Sequence, residues 1–172
     1  GRYEMRAQAE EVAIDFTLNT LKPPALHGNQ GLSQKSAEPG NASYYYSQSR
    51  LETSGTVTVK GQTYQVTGLS WKDHEYGTSS LAHNAIGWDW FSLQLSDGRE
   101  LMYFQIRTED GAIEPASSGS LILEDGAIEP LSRDDVQLTI LDQWTSPTTG
   151  GVYPTAWQLT IASQQIDLTI TA

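Results

Sequence analysis

The sequence predicts an all-β protein, an antiparallel β-barrel or sandwich. Three observations carry this. Apolar residues recur at every second position in short runs, the runs are separated by Gly, Asp, Asn, Ser and Pro, and no window shows the three-to-four-residue period of an amphipathic helix. At 172 residues the chain is long enough to bury a core of its own.

In order along the chain, Val12, Ile14, Phe16 and Leu18 alternate with Ala13, Asp15, Thr17 and Asn19, the pattern of a strand with one face buried. The same reading predicts strands over 44–51, 56–60, 62–71, 88–95, 100–107, 120–123, 136–141, 155–161 and 165–171. Asp97-Gly98, Asp110-Gly111 and Asp125-Gly126 stand between apolar runs, where Asp-Gly supplies the positive φ of a tight hairpin; Lys60-Gly61 is placed to do the same. Residues 22–43, rich in Pro and Gly, read as a linker or functional loop, and 145–154 as a second connection. The division that follows is 1–22 as terminal strands of a first barrel, 23–43 as linker and 44–172 as the main barrel. EDGAIEP occurs at Glu109–Pro115 and again at Glu124–Pro130; two copies mark similar hairpin ends, since a solenoid needs about three or more repeats.

Composition excludes several classes of function. A formal net charge of −11, from 10 Lys+Arg against 21 Asp+Glu, is wrong for neutralising phosphates, so neither nucleic acid nor an anionic membrane surface is an expected partner. The absence of cysteine removes disulfide scaffolds, thiolate metal sites and cysteine nucleophiles. No run approaches the roughly 20 apolar residues of a membrane span, and no charged-then-apolar leader opens the chain. No cofactor is expected.

The five tryptophans lie between Trp71 and Trp157, and three flank the one dense cluster of ionisable and aromatic residues, WKDHEYG (71–77) followed by GWDWF (87–91). Strand alternation puts Trp71, Asp73 and Glu75 on one face and Lys72, His74 and Tyr76 on the other. Carboxyl groups turned into an aromatic-lined interior act as Brønsted acids when desolvation keeps them protonated, and the faces of Trp88 and Trp90 would stabilise a developing cation. That combination suits protonation of an alkene or cyclisation of a polyene. It names Asp73 and Glu75 as candidate catalytic residues, and Trp71, Tyr76, Trp88, Trp90 and Tyr46 as candidate substrate contacts. The same carboxylates could instead pair with Arg50, Lys72 or Arg107. Tyr44-Tyr45-Tyr46 reads as two core rings and one surface ring. A metal site is not expected, because alternation separates His74 from the acids. A serine hydrolase lacks its Gly-x-Ser-x-Gly elbow, and His27, in HGNQG, reads as part of a shaped turn. A glycosidase pair of Asp73 and Glu75 would draw both acids from one strand, whereas flanking a glycosidic bond takes acids from two sides.

PPALHGNQGLSQK, YYYSQSRL, VTGLSWKDHEYGTSSL, GWDWFSLQLSDGRELMYFQIR and WTSPTTGGVYPTAW follow one another over most of the chain. In that order they resemble the carotenoid 1,2-hydratase-like family, also called AttH-like. The resemblance implies two lipocalin-like β-barrels in sequence, of which this chain would hold parts, with a hydrophobic pocket in or between them. It also implies relatives that hydrate a terminal alkene or shape a polyene for cyclisation, an acid at Asp73 that protonates the alkene, and an aromatic partner at Trp71. The pocket's occupant would be an apolar small molecule, and the location extracytoplasmic. The family's members are longer, so the expectation is of a chain shortened at both ends whose open barrel edges pair in a homodimer. A non-catalytic lipophile carrier and an inactive fragment are the alternative readings.

Overall fold

The computed structural model describes residues 1–79 and 81–172. Thirteen strands follow in order: β1 (Arg2–Ala9), β2 (Val12–Thr20), β3 (Ala25–Leu26), β4 (Leu32–Gln34), β5 (Ala42–Val59), β6 (Gln62–Ser79), β7 (Ala85–Gln94), β8 (Glu100–Thr108), β9 (Ser118–Ile122), β10 (Ile128–Ser132), β11 (Gln137–Thr145), β12 (Val152–Ile161) and β13 (Ile166–Thr171). Two short 3-10 turns are the helical segments among the described residues, and none is long and apolar enough to cross a membrane. The strands form three antiparallel sheets.

Contacts divide the chain into two units, Gly1–Pro130 and Leu131–Ala172. This differs from the division at 22/23 and 43/44, and strand pairing is the reason. β2 docks along its whole length on the second half of β5, from Val12 opposite Val59 to Thr20 opposite Leu51. The amino-terminal strands therefore share one sheet with β5 and β6. Residues 23–43 are not a free linker either: β3 and β4 pair with the first half of β5, and they bring His27, Ser33 and Lys35 into the interior. β1, which lies within the 1–22 read as terminal strands but has no bounds of its own in that reading, pairs with β2 residue for residue.

In the first unit β5 and β6 make an 18-residue hairpin arm each, closed by Lys60 and Gly61 at φ of 50° and 79°. Both centres of that two-residue turn thus lie in the left-handed region, the twist that matches paired strands. The three Asp-Gly turns differ, since there only the glycine has positive φ and the ladder closes one residue later (Leu95 N–H to Arg99 O, Thr108 to Ala112, Leu123 to Ala127). Each is a three-residue loop ending in a glycine bulge. The aspartate accepts the N–H of the residue after the glycine: Arg99 to Asp97, Ala112 to Asp110, Ala127 to Asp125. The two EDGAIEP copies are therefore the same hairpin end built twice.

The core lies along β8, where Leu101, Met102, Tyr103, Phe104 and Ile106 are all buried. Tyr45, Met102, Phe104 and Ile106 form one cluster against which Trp71 and Ala85 pack.

The second unit contains the β11–β12–β13 sheet. Its register aligns Leu138, Leu159 and Leu168 in one row and Ile140, Trp157 and Ile170 in the next, so one face is apolar while Thr139, Gln158 and Thr169 occupy the other. Trp144 and Tyr153, paired opposite each other, extend the apolar face and are exposed.

Candidate functional site

Opposite residues on paired strands share a face, and the register of β5 with β6 decides which faces meet. Ser47 lies opposite Asp73, Tyr45 opposite Glu75, Tyr46 opposite His74 and Tyr44 opposite Tyr76. Trp71, Asp73 and Glu75 point inward, as alternation predicts, together with Tyr45 and Ser47. Lys72, His74 and Tyr76 take the outer face, where Tyr46 stacks on His74 at 5.2 Å, Tyr44 stacks on Tyr76 at 5.4 Å and the Lys72 ammonium lies over Tyr46. Tyr46 is therefore not a pocket ring. The triple-tyrosine run supplies one core ring, Tyr45, and two outer ones, the reverse of the expected count.

A cavity of about 400 Å³ opens on the inner face. Trp88, Trp90, Phe104 and Ile106 wall one part of it, and Lys35, Ser43, Tyr45 and Glu75 another; Tyr76 borders it at the edge. Trp88 and Trp90 stand there as their shared parity on β7 requires. Trp71 and Asp73 do not line it. Trp71 sits behind the wall in the core cluster, and Asp73 reaches the cavity only through Tyr45: the Tyr45 hydroxyl donates to Asp73 Oδ1 at 3.0 Å and accepts the Trp90 indole N–H at 3.0 Å.

Behind Asp73 runs a second line of contacts. Ser47 Oγ donates to Asp73 Oδ1, His27 Nε2 lies 2.7 Å from Ser47 Oγ, and His27 Nδ1 lies 3.0 Å from Ser120 Oγ. Ser47 spends its one proton on Asp73, so it must accept from His27 Nε2–H, which leaves Nδ1 to accept from Ser120. This fixes the neutral Nε2–H tautomer. His27, about 1% exposed, is correspondingly held down to about 4, by burial first and by Lys35 as well, with Asp73 pulling the other way. Its folded value lies below the unfolded one, so the imidazole binds its proton later in the native state as pH falls. Stability is then undiminished above about 6.5 and is lost from there down to about 4, by about 3 kcal/mol in all. Urea unfolding at pH 7 and at pH 4.5 checks this by comparing wild type with His27→Gln. The variant should lose the His27 share of the acid slope; equal slopes in the two proteins would remove the assignment.

The charged side of the cavity is Lys35 with Glu75. Lys35 Nζ lies 2.9 Å from Glu75 Oε1 and 3.1 Å from Ser33 Oγ, 3.9 Å above the centre of the Phe104 ring, and Ser43 Oγ also donates to Glu75 Oε1. Burial pushes the Lys35 amine below the usual lysine range against the pull of Glu75. Burial alone would raise Glu75, but the hydrogen bonds from Ser43 and Lys35 and the Lys35 charge outweigh it, and the carboxyl is held below its ordinary value. Burial and the neighbouring Asp73 push the Tyr45 phenol up. Of the ion pairs proposed from sequence none forms: Arg50 binds Glu100, Arg107 approaches Asp89, and Lys72 covers tyrosine rings. Among the described residues no group of three His, Asp or Glu is arranged to hold a metal ion.

Of the seven residues named from sequence, Glu75, Trp88, Trp90 and Tyr76 border the cavity, Asp73 meets it through Tyr45, and Trp71 and Tyr46 do not line it; His27, Lys35, Ser43, Tyr45, Ser47 and Ser120 are not among the seven. A usable signal for part of that set lay in YYYSQS, whose alternate residues face the alternate residues of WKDHEY once the two runs are paired.

The AttH-like family model matches residues 1–172. An AttH protein from Nitrosomonas europaea superposes with a TM-score of 0.87 at 37% identity over 94% of this chain, and kievitone hydratase from Nectria haematococca with 0.68 at 17% over 92%. The chain spans about half the length of each, 50% and 49%. No protein of curated function matches it.

Proposed function

The chain belongs to the AttH-like family, and from that membership we propose that it binds an apolar, alkene-bearing small molecule such as a polyene or terpenoid in the cavity beside Trp88 and Trp90 and adds water across its double bond. The observation that carries this reading is the Asp73–Tyr45–Trp90 chain of hydrogen bonds, which ends at the cavity wall. For the reaction Asp73 takes up a proton and donates it to the Tyr45 oxygen, the reverse of the resting hydrogen bond, while the Tyr45 hydroxyl turns its own proton to the alkene carbon. The cation that results faces the indoles of Trp88 and Trp90, where a ring quadrupole attracts positive charge. Glu75, held ionised beside Lys35 and Ser43, takes a proton from the water that attacks the cation. That kievitone hydratase, a protein of the same fold, is named a hydratase supports the reaction class.

The test has two parts. Native mass spectrometry of the purified protein identifies a bound lipophile, and turnover of that compound is then compared between wild type and Asp73→Asn. A second reading, a carrier that binds without reacting, rests on Asp73 standing behind the wall; it predicts retained ligand and no turnover in either protein.

We also propose that copies of the chain pair through the β11–β12–β13 sheet, whose edge strands β11 and β13 each have one strand partner among the described residues and whose apolar face exposes Ile140, Trp144 and Tyr153. Unpaired edges and bare apolar faces favour association. Sedimentation equilibrium should show a concentration-dependent dimer that Trp144→Lys weakens; a monomer at high concentration overturns the pairing.

A further inference from the structure

We propose that Lys35 is a carbonyl-capturing amine, which takes up aldehydes with a flat conjugated or aromatic body as a reversible imine inside the cavity. Three features support it. Lys35 is about 6% exposed yet lines the cavity, so a ligand that enters meets a largely desolvated amine. Glu75 Oε1 at 2.9 Å is a carboxylate within direct proton-transfer distance of that nitrogen. The surrounding walls, Phe104, Tyr45, Trp88 and Trp90, are flat and apolar and suit the body of a conjugated aldehyde.

The step balances without an outside reagent. Glu75 takes one proton from the Lys35 ammonium, and the freed Nζ lone pair attacks the aldehyde carbon. A second nitrogen proton moves to the carbonyl oxygen to give the carbinolamine. Glu75 returns its proton to that hydroxyl, which leaves as water while the nitrogen lone pair closes the C=N bond. The product is a protonated imine with Glu75 as its counter-ion. A lysine desolvated among apolar groups beside a proton acceptor is the usual form of an activated amine, and the depressed basicity of Lys35 agrees with the geometry.

The other lysines provide controls. Lys22 is buried as well, but its ammonium is spent on Glu100 and on the carbonyls of Gly98 and Leu123, and it borders no aromatic cavity. Lys60 is exposed at a hairpin tip, and Lys72 lies over Tyr3 and Tyr46 on the outer face.

The experiment treats the wild-type protein with cinnamaldehyde at neutral pH, reduces it with borohydride and maps the modified lysines by peptide mass spectrometry. The expected result is a Lys35 adduct formed at least about tenfold faster than one at Lys60, with Glu75→Gln slowing capture by about 10²-fold or more, as loss of a general acid–base does. Modification of Lys60 and Lys72 at rates equal to or above that of Lys35 overturns the proposal. The mapping needs no variant, so a misfolded substitution does not obscure it. Capture uses the cavity of the hydration reading but not the Asp73 proton, and the two fail separately. Absence of a Lys35 adduct defeats capture even where alkene hydration is measured, and an adduct on a protein that hydrates nothing sustains it.

Discussion

Under the proposed hydration, Asp73→Asn should abolish turnover of the alkene ligand while leaving the fold in place. The substitution is isosteric, and the asparagine oxygen still accepts the two hydrogen bonds that Ser47 and Tyr45 donate to Asp73 Oδ1, so the wall of the cavity keeps its shape. What is lost is the one group of this chain of contacts that can carry a transferable proton behind Tyr45. Removal of a positioned general acid costs typically about 10²–10⁴ in rate, or about 3–5 kcal/mol of transition-state stabilisation. Measured as kcat/KM on whatever alkene native mass spectrometry identifies, the loss should fall mainly on kcat, since Asp73 does not line the cavity and contributes little to ground-state binding. Tyr45→Phe tests the relay itself. If the proton travels through that hydroxyl, Tyr45→Phe and Asp73→Asn each produce most of the loss, and the double variant is hardly worse than either, the non-additivity expected of groups acting as a unit. Unchanged turnover in Asp73→Asn with intact near-ultraviolet circular dichroism would defeat the acid role, whereas bound ligand with no turnover in wild type or variant would favour the carrier.

That Asp73 and Glu75 share an inner face was legible in WKDHEY because alternation is a property of one strand. Which of Tyr44, Tyr45 and Tyr46 joins them was not, because three consecutive tyrosines give β5 no parity of their own. Parity comes from the partner strand. With Asp73 opposite Ser47 and Glu75 opposite Tyr45, the inward residues of β5 are the odd-numbered ones. A register shift of one residue would have reversed the assignment. His27 and Lys35 were hidden for a different reason. Their Pro- and Gly-rich surroundings read as loop, and their burial is produced by two strands of two and three residues, β3 and β4, too short to show a period. Pairing also decided the organisation of the chain. Val12 to Leu18 was recognisable as a strand, but nothing within it specified that its partner would be residues 51–59 of β5. Two consequences follow. The chemistry-bearing side chains were visible where they sat on one long alternating strand. The contacts that give them a role came from segments distant in sequence, whose pairing energy is spread over many residues.

Glu100→Gln should destabilise the first unit by about 3–5 kcal/mol, the usual cost of breaking a buried ionic group by removing one partner. Glu100 is completely buried. Its carboxylate accepts the Lys22 ammonium at 2.9 Å, the Arg50 guanidinium and, at 3.2 Å, the Ser49 hydroxyl. Lys22 also donates to the carbonyls of Gly98 and Leu123 at 2.6 and 2.7 Å, and Arg50 to that of Leu95 at 3.2 Å. One acidic side chain thus ties the end of the β2–β5 pair to the ends of the β7–β8 and β9–β10 hairpins. Glutamine keeps the volume and the acceptor oxygen but removes the negative charge, leaving two cations with little access to water and only carbonyl dipoles to hold them. That residual charge, rather than the lost hydrogen bonds, accounts for the size of the effect. The urea midpoint should fall with an unchanged slope, since the area exposed on unfolding is the same. A triple replacement, Glu100→Leu with Lys22→Met and Arg50→Met, should recover most of the loss, because an apolar cluster of similar volume carries no desolvation penalty. A Glu100→Gln change within about 0.5 kcal/mol of wild type would place the cluster among ordinary surface substitutions and show that water reaches the two cations.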